Sequence, residues 1–362
     1  MKSKKKIKLF EPFVGKEEIE AASRILEGKF WASGSGVGKV KEFEERFSKF
    51  VGCKESIAVN SGTAALHLAL DSLKIEKTEV LVPSITFVST AHAAMYNKAK
   101  PIFVDVEEST LCIDIEDLEK KISSKTSVII PVHMGGFPCD LGKIQKLAKD
   151  HGIKVIEDAA HACGSTYQGK KIGSHSNMVC FSFHPVKNLA MPTGGLIALN
   201  SELDSVKKMK SKRWCGISNR KETSYDVDSL GWNFYMDEIS AAIGLEQLKR
   251  LSKLNRRRLE IAKKYDKEIS IDKKMPLSKD CSYHIYWIRT QQRKKFMEEM
   301  LKNGIETGIH YRPVHTMSFY SDSTGLNTCE KISDEIVSIP MHPNLSDDDV
   351  EIIISSVNQY SS

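Results

Sequence analysis

The feature that most constrains this chain is a rhythm between residues 56 and 199, in which short apolar runs alternate with helical patterns. The runs are Ser56–Val59, Glu79–Val82, Pro101–Asp105, Ser127–Pro131, Lys154–Glu157, Met178–Phe183 and Gly195–Leu199. Their length and near-continuous apolar character suit strands buried on both faces. Between several of them, Ala64–Leu73, Ser89–Asn97, Asp114–Ile122 and Leu141–His151 repeat apolar residues at helical spacing. Strands alternating with helices predict an α/β fold with a mainly parallel sheet between helices. Two amphipathic segments come first: Lys16–Glu27, and Val40–Val51, which carries Phe43, Phe47 and Phe50. A long helical pattern runs from Asp237 to Tyr265. It is followed by a strand candidate (Tyr283–Thr290), a helix (Arg293–Asn303), a short strand (Gly304–Thr307) and a closing helix (Asp347–Tyr360). This order predicts a large α/β domain over residues 1–250, including the N-terminal helical segment, and a smaller α+β domain over 251–362.

Composition narrows the class. A chain of 362 residues with 41% hydrophobic side chains can bury a sizeable core, and at roughly 150 residues per domain it holds about two. No apolar run approaches the roughly 18 residues of a membrane span. The basic start, Met1–Lys8, lacks the apolar stretch of a secretory signal. A cytoplasmic protein with no membrane partner is expected. Lys+Arg 53 against Asp+Glu 47 gives +6, too small and scattered an excess to predict nucleic-acid binding. The eight cysteines include no Cys-x-x-Cys, which disfavours a metal site and a disulfide framework and fits reduced thiols.

Four motifs carry possible chemistry. Gly34-Ser35-Gly36-Val37-Gly38-Lys39 superficially suggests a phosphate loop, but Ser33 stands where a Gly is required and Val40 where a Ser or Thr is required. A turn before the second helix is expected there. Asn60-Ser61-Gly62-Thr63-Ala64-Ala65-Leu66 follows a strand and opens a helix. It can cradle a phosphate on first-turn amides and the Thr63 hydroxyl, or serve as a plain helix cap. Glu157-Asp158 closes a strand at the edge where open α/β sheets bind ligands, and Asp158 can pair with a protonated pyridine nitrogen or cap the next turn. Ser182-Phe183-His184-Pro185-Val186-Lys187 leaves another strand and reaches Gly194-Gly195. Desolvation would lower the Lys187 pKa, as a Schiff-base amine requires. Phosphate cradle, carboxylate, and Ser with Lys, in that chain order, together point to pyridoxal 5'-phosphate. The dinucleotide fingerprint of a nicotinamide enzyme is absent. His67, His92 and His133 read as core or polar histidines, and Trp31 and Trp214 as packing.

With these residues in view, the sequence resembles the nucleotide-sugar aminotransferases of the DegT/StrS type, fold type I pyridoxal-phosphate enzymes. The resemblance rests on Ser61–Leu66, Pro83–Phe87, Glu157–Ala162, Ser182–Asn188, Gly231–Phe234 and Gly308–His315. It implies that Lys187 is the catalytic amine bonded to the cofactor aldehyde and that Asp158 pairs with the ring nitrogen. Phe87 would stack on the ring and His161 would lie beside the 3-oxygen. Gly62, Thr63, Ala64 (through its backbone) and Ser182 would hold the phosphate. It further implies a homodimer with shared active sites, in which Asn233 reaches the neighbouring chain's cofactor phosphate. His184, His310, Tyr311 and His315 fall on segments near the substrate. The family usually has an Arg where Tyr235 stands, and a different run where Ala190–Gly195 stands. The implied function is transamination of a nucleotide-linked keto sugar, with glutamate as donor, giving an amino sugar for surface polysaccharide, glycan or secondary-metabolite synthesis. The alternatives are a sugar dehydratase, which would carry His in place of Lys187, and a non-catalytic regulatory member of the fold.

Overall fold

The structure, a computed structural model, describes residues 6–200, 203–320 and 325–360. Part of the basic N-terminal start therefore lies outside the described residues. Seven strands form the central sheet: β1 (Glu55–Val59), β2 (Glu79–Pro83), β3 (Lys100–Val104), β4 (Thr126–Ile129), β5 (Lys154–Asp158), β6 (Met178–Ser182) and β7 (Gly195–Leu199). Their order across the sheet is β1-β7-β6-β5-β4-β2-β3. All neighbouring pairs are parallel except those made by β7, which runs antiparallel to both β1 and β6. The apolar runs become buried strands because both faces are covered; every residue of β7 is buried. The fold is the mainly parallel α/β sheet that the alternation predicts.

This topology positions the site. β1, β2, β5 and β6 share one direction, so their carboxyl ends lie along one edge. β7 runs the other way, so its amino end, with Thr193 and Gly194 before it, arrives at the same edge. Open sheets bind ligands at that edge. The helices α1 (Lys16–Gly28), α2 (Gly38–Val51), α3 (Gly62–Asp71) and α4 (Ser89–Tyr96) precede or interleave the first strands. Phe43 and Phe47 of α2 pack edge-on against Phe181 and Phe183 at the end of β6.

The helix α5 (Glu238–Glu268) is capped by Asp237, whose carboxylate accepts the Ser240 amide. Its first half holds α1 through Arg250 to Glu17 and Glu18, and through Gln247 to the Phe13 carbonyl. Its second half holds the C-terminal part, with Arg258 donating to the Tyr283 and Met341 carbonyls and Tyr265 to the Pro340 carbonyl. Residue 250, the expected domain boundary, thus falls within one continuous helix. The first described residues also depart from the expected division. Ile7 exchanges backbone hydrogen bonds with Gly304 and Glu306, which ties it to the C-terminal part. The expected strand Gly304–Thr307 is only that isolated bridge, because its one neighbour is this short N-terminal segment. The strand expected over Tyr283–Thr290 shortens to Tyr286–Arg289 and pairs with Ile336–Ile339, which the sequence reading passed over. Also unforeseen is an exposed hairpin, Ile217–Lys221 with Ser224–Val227. Among the described residues, no helix is long and apolar enough to cross a membrane, no cluster suited to a metal ion occurs, and all eight cysteines are free thiols.

Candidate active site

The glycine-rich loop expected to be a turn is one. Gly36 and Gly38 have φ of +64°, and Cβ atoms on Gly34, Gly36 and Gly38 would collide with Trp214, Arg213 and Glu238. These glycines exist for close packing rather than for a phosphate.

At the carboxyl edge of the sheet, a cavity of about 410 Å³ collects Gly62, Thr63, Phe87, Asp158, His161, Ser182, His184, Lys187, His310 and Tyr311. Ten of the expected site residues therefore share one space. Ser61 caps α3, its hydroxyl accepting the Ala64 amide at 3.1 Å, so that amide is engaged by the cap. Gly62 stands so close to β6 that a Cβ would lie 2.8 Å from Ser182 Cβ. The helix start and the Ser182 hydroxyl thus form a narrow cradle at a positive helix end, which suits a phosphate.

Strand alternation separates the two adjacent carboxylates of β5. Glu157 pairs with His133 Nε2 at 3.0 Å, fully buried. His133 Nδ1 accepts the Cys139 amide, so Nε2 carries the proton and donates to Glu157. Asp158 instead lines the cavity, with Oδ2 accepting from Thr90 Oγ1 at 2.8 Å and Oδ1 from the Ala160 amide at 3.1 Å. A hydroxyl has one proton, so Thr86, 2.8 Å from Thr90, must donate to Thr90 in turn. Burial pushes the Asp158 pKa up against these hydrogen bonds and the nearby Lys187 charge, so a cation placed against it would offset the cost of its ionised form.

Lys187 is half-buried on the loop after β6. Desolvation lowers its pKa to about 8, with Asp158 opposing. His161 Nδ1 accepts the Gly135 amide at 3.3 Å, which leaves the proton on Nε2 to donate to Tyr311 Oη at 3.0 Å. Burial and the Lys187 charge together push His161, His184, His284 and His310 below the ordinary histidine range. Neutral imidazoles therefore surround the amine.

Some expected residues lie elsewhere. His315 does not line the cavity. It is buried, with Nδ1 2.6 Å from Ser84 Oγ and Nε2 3.4 Å from Glu330, so substrate contact through its ring is corrected to a packing role. Asn233 is exposed and outside the cavity of its own chain, with its carbonyl accepting from Asn60 Nδ2. His284, Phe10 and Thr90 were not anticipated. Phe10 lines the cavity from the far N-terminus and stacks on His284 at 5.5 Å. No local motif marks either residue, because the long-range contact alone gives them their place.

The cavity's chemistry fits pyridoxal 5'-phosphate: an anion cradle, a buried carboxylate, an imidazole donor and an amine of lowered pKa. Comparison with known proteins agrees. The profile of the DegT/DnrJ/EryC1/StrS aminotransferase family matches residues 12–358. The chain is 35% identical to the spore coat polysaccharide biosynthesis protein SpsC of Bacillus subtilis, covering 96% of this chain and 95% of that one. Helicobacter pylori PseC, an aminotransferase involved in pseudoaminic acid biosynthesis, superposes with a TM-score of 0.93 at 30% identity, covering 99% of both chains. The putative sugar aminotransferase Spr1654 of Streptococcus pneumoniae, in its PLP form, superposes with a TM-score of 0.91 at 27% identity, covering 99% of both.

Proposed function

The chain belongs to the DegT/DnrJ/EryC1/StrS aminotransferase family, and from that premise we propose that this pyridoxal-phosphate-dependent sugar aminotransferase acts on a keto sugar carried on a nucleotide, with glutamate as amine donor. The observation that carries the proposal is the single cavity in which Lys187 and Asp158 face the Gly62–Ser182 cradle.

When bound, pyridoxal phosphate supplies an electron sink for bonds around the donor's α-carbon and the sugar's carbonyl carbon. Gly62, Thr63 and Ser182 would hold its phosphate, with the α3 amino end favouring the anion. Asp158, fixed by Thr90 and the Ala160 amide, would hold a proton at the ring nitrogen. His161 would lie beside the 3-oxygen and Phe87 would cover a ring face. With its pKa lowered to about 8, Lys187 can take a proton on Nζ from the donor's α-carbon near neutral pH. It can later deliver one to the opposite end of the exchange. His184, His310 and Tyr311 also line the cavity and would face the sugar.

The biosynthetic names of SpsC and PseC support an amino sugar product for surface polysaccharide or glycan synthesis. Eight free thiols support a cytoplasmic location. A dehydratase of this fold would need a different residue at position 187, and a regulatory protein would not need this amine. The test is incubation with glutamate and a panel of nucleotide keto sugars, read by mass. Wild type should yield an amino sugar and oxoglutarate, whereas Lys187→Ala should yield neither. Turnover by Lys187→Ala would end the assignment.

A further inference from the structure

We infer that His284 is a positioning residue whose Nε2 holds the Lys187 amine in its working orientation. This rests on the reading of Lys187 given above and extends it to a residue that no motif marks. Lys187 Nζ lies 3.4 Å from His284 Nε2. An ammonium has three donors and no acceptor, so in that state His284 must present a bare Nε2 and carry its proton on Nδ1. A neutral amine can keep the same N–H directed at Nε2, leaving its lone pair aimed elsewhere. His284 can thus stay an acceptor in both protonation states of its neighbour.

The Nδ1 of His284 is buried and has no partner. The ring is instead held by shape, stacked on Phe10 at 5.5 Å and packed against His161 at 4.6 Å. The backbone that carries it is clamped from several sides. Its amide donates to the Gly135 carbonyl at 2.8 Å, and Gly135 in turn gives its own amide to His161 Nδ1. Arg258 donates to the carbonyl of Tyr283. Asn188, the residue after Lys187, donates to the carbonyl of Ser282 at 2.8 Å, which ties the two segments together. Between these clamps Tyr283 adopts φ of +47°, a conformation rare for a bulky residue and stable only where the surroundings over-determine it. This concentration of buried hydrogen bonds and backbone strain has one evident consequence, the direction of the His284 ring.

The titratable and charged groups facing the pair are Asp158 from β5, His161 from the turn after it, His184 from the Lys187 loop, His310 and Tyr311 from the segment after Gly308, and Arg258 from α5. None of these is altered by the test. Trace acetylation of the cofactor-free full-length chain over a pH series bracketing 8, with the Lys187 peptide quantified by mass, reads the amine without cofactor. Replacing the acceptor, His284→Phe should lower the apparent Lys187 pKa by about one to two units. It should also cut kcat of the loaded enzyme at least about tenfold, with little change in donor KM. His284→Gln, which offers an amide oxygen, should recover most of both effects. A wild-type labelling profile and kcat in His284→Phe overturns the inference. So does a glutamine variant as impaired as the phenylalanine one while melting and binding cofactor normally. Should His284→Phe fail to fold, the converse applies: Lys187→Met should move the nitrogen NMR signal of His284 Nε2, and an unmoved signal overturns the inference. Turnover by Lys187→Ala would instead sink the reading beneath it, so the two failures are separable.

Discussion

Asp158 and Glu157 are adjacent on β5 yet face opposite sides of it, Asp158 into the cavity and Glu157 onto His133. The strand pattern shows that one of the two must face away from the other, and the edge position suggests a ligand for Asp158. Its support, Thr90 with Thr86 behind it, comes from a helix start nearly seventy residues earlier and carries no local signature. Asp158→Asn should lower kcat by at least about a hundredfold, while cofactor affinity, measured by absorbance titration, changes far less because the phosphate cradle and Lys187 remain. Equal losses would make Asp158 a structural cap. Lys187 makes a further prediction at this scale. Its folded pKa of about 8 lies below the ordinary 10.5, so between those values the unfolded chain binds more protons and stability rises with pH. Below about 8 both states are protonated and the full cost of the desolvated ammonium is present. Thermal unfolding of cofactor-free protein should therefore show Lys187→Met more stable than wild type below pH 8, with the advantage fading toward 10.5. An advantage independent of pH would mean that shape, not charge, sets the difference. His315 shows the limit of proximity along the chain: it is four residues from Tyr311, yet the intervening turn carries it onto Ser84.

The elements that the sequence discloses are those whose burial is dictated by the sheet. All seven main strands were readable as apolar runs, because strands covered on both faces have no polar alternation to blur. The hairpin Ile217–Lys221/Ser224–Val227 is exposed and polar, so composition could not distinguish it from a loop. The loop from Gly34 to Gly38 was readable as a turn, but not the reason for its glycines, since Arg213 and Trp214 approach it from far along the chain. Arg213 fixes that junction, with its guanidinium 2.6 Å from Glu44 Oε1 and donating to the Ala58 carbonyl. Desolvation already pushes the Glu44 pKa up, with the Arg213 charge opposing it. Arg213→Ala removes that compensation and should destabilise the fold by about 3–5 kcal/mol in denaturant unfolding. The double change with Glu44→Gln should recover part of the loss, because no bare charge is then left buried. A single variant as stable as wild type would show that water reaches the pair.

At the scale of the whole molecule, the charge of the cavity bears on assembly. Among the described residues lining it, Lys187 is the one lysine or arginine and the neighbouring histidines are held neutral. The nucleotide sugar and amino-acid donor proposed above would bring several negative charges, which groups from a second chain would help to balance. Asn233 is the residue that the family resemblance sends to a second copy. It is exposed and tied through its carbonyl to Asn60 beside the phosphate cradle. If each site takes Asn233 from the partner, cofactor affinity is linked to dimerisation and falls on dilution. Provided that Asn233→Ala is disabling by itself, inactive Lys187→Ala and inactive Asn233→Ala chains should then regain activity when mixed. One of the two sites in the mixed dimer receives an intact Lys187 from one chain and an intact Asn233 from the other. Random mixing places half of the dimers in that state with one working site each, so recovery approaches about a quarter of wild-type activity. The measurement needs proof of subunit exchange, by native mass of differently tagged chains. Exchange without recovery, or a fully active monomer at high dilution, would show that the active site is complete within one chain.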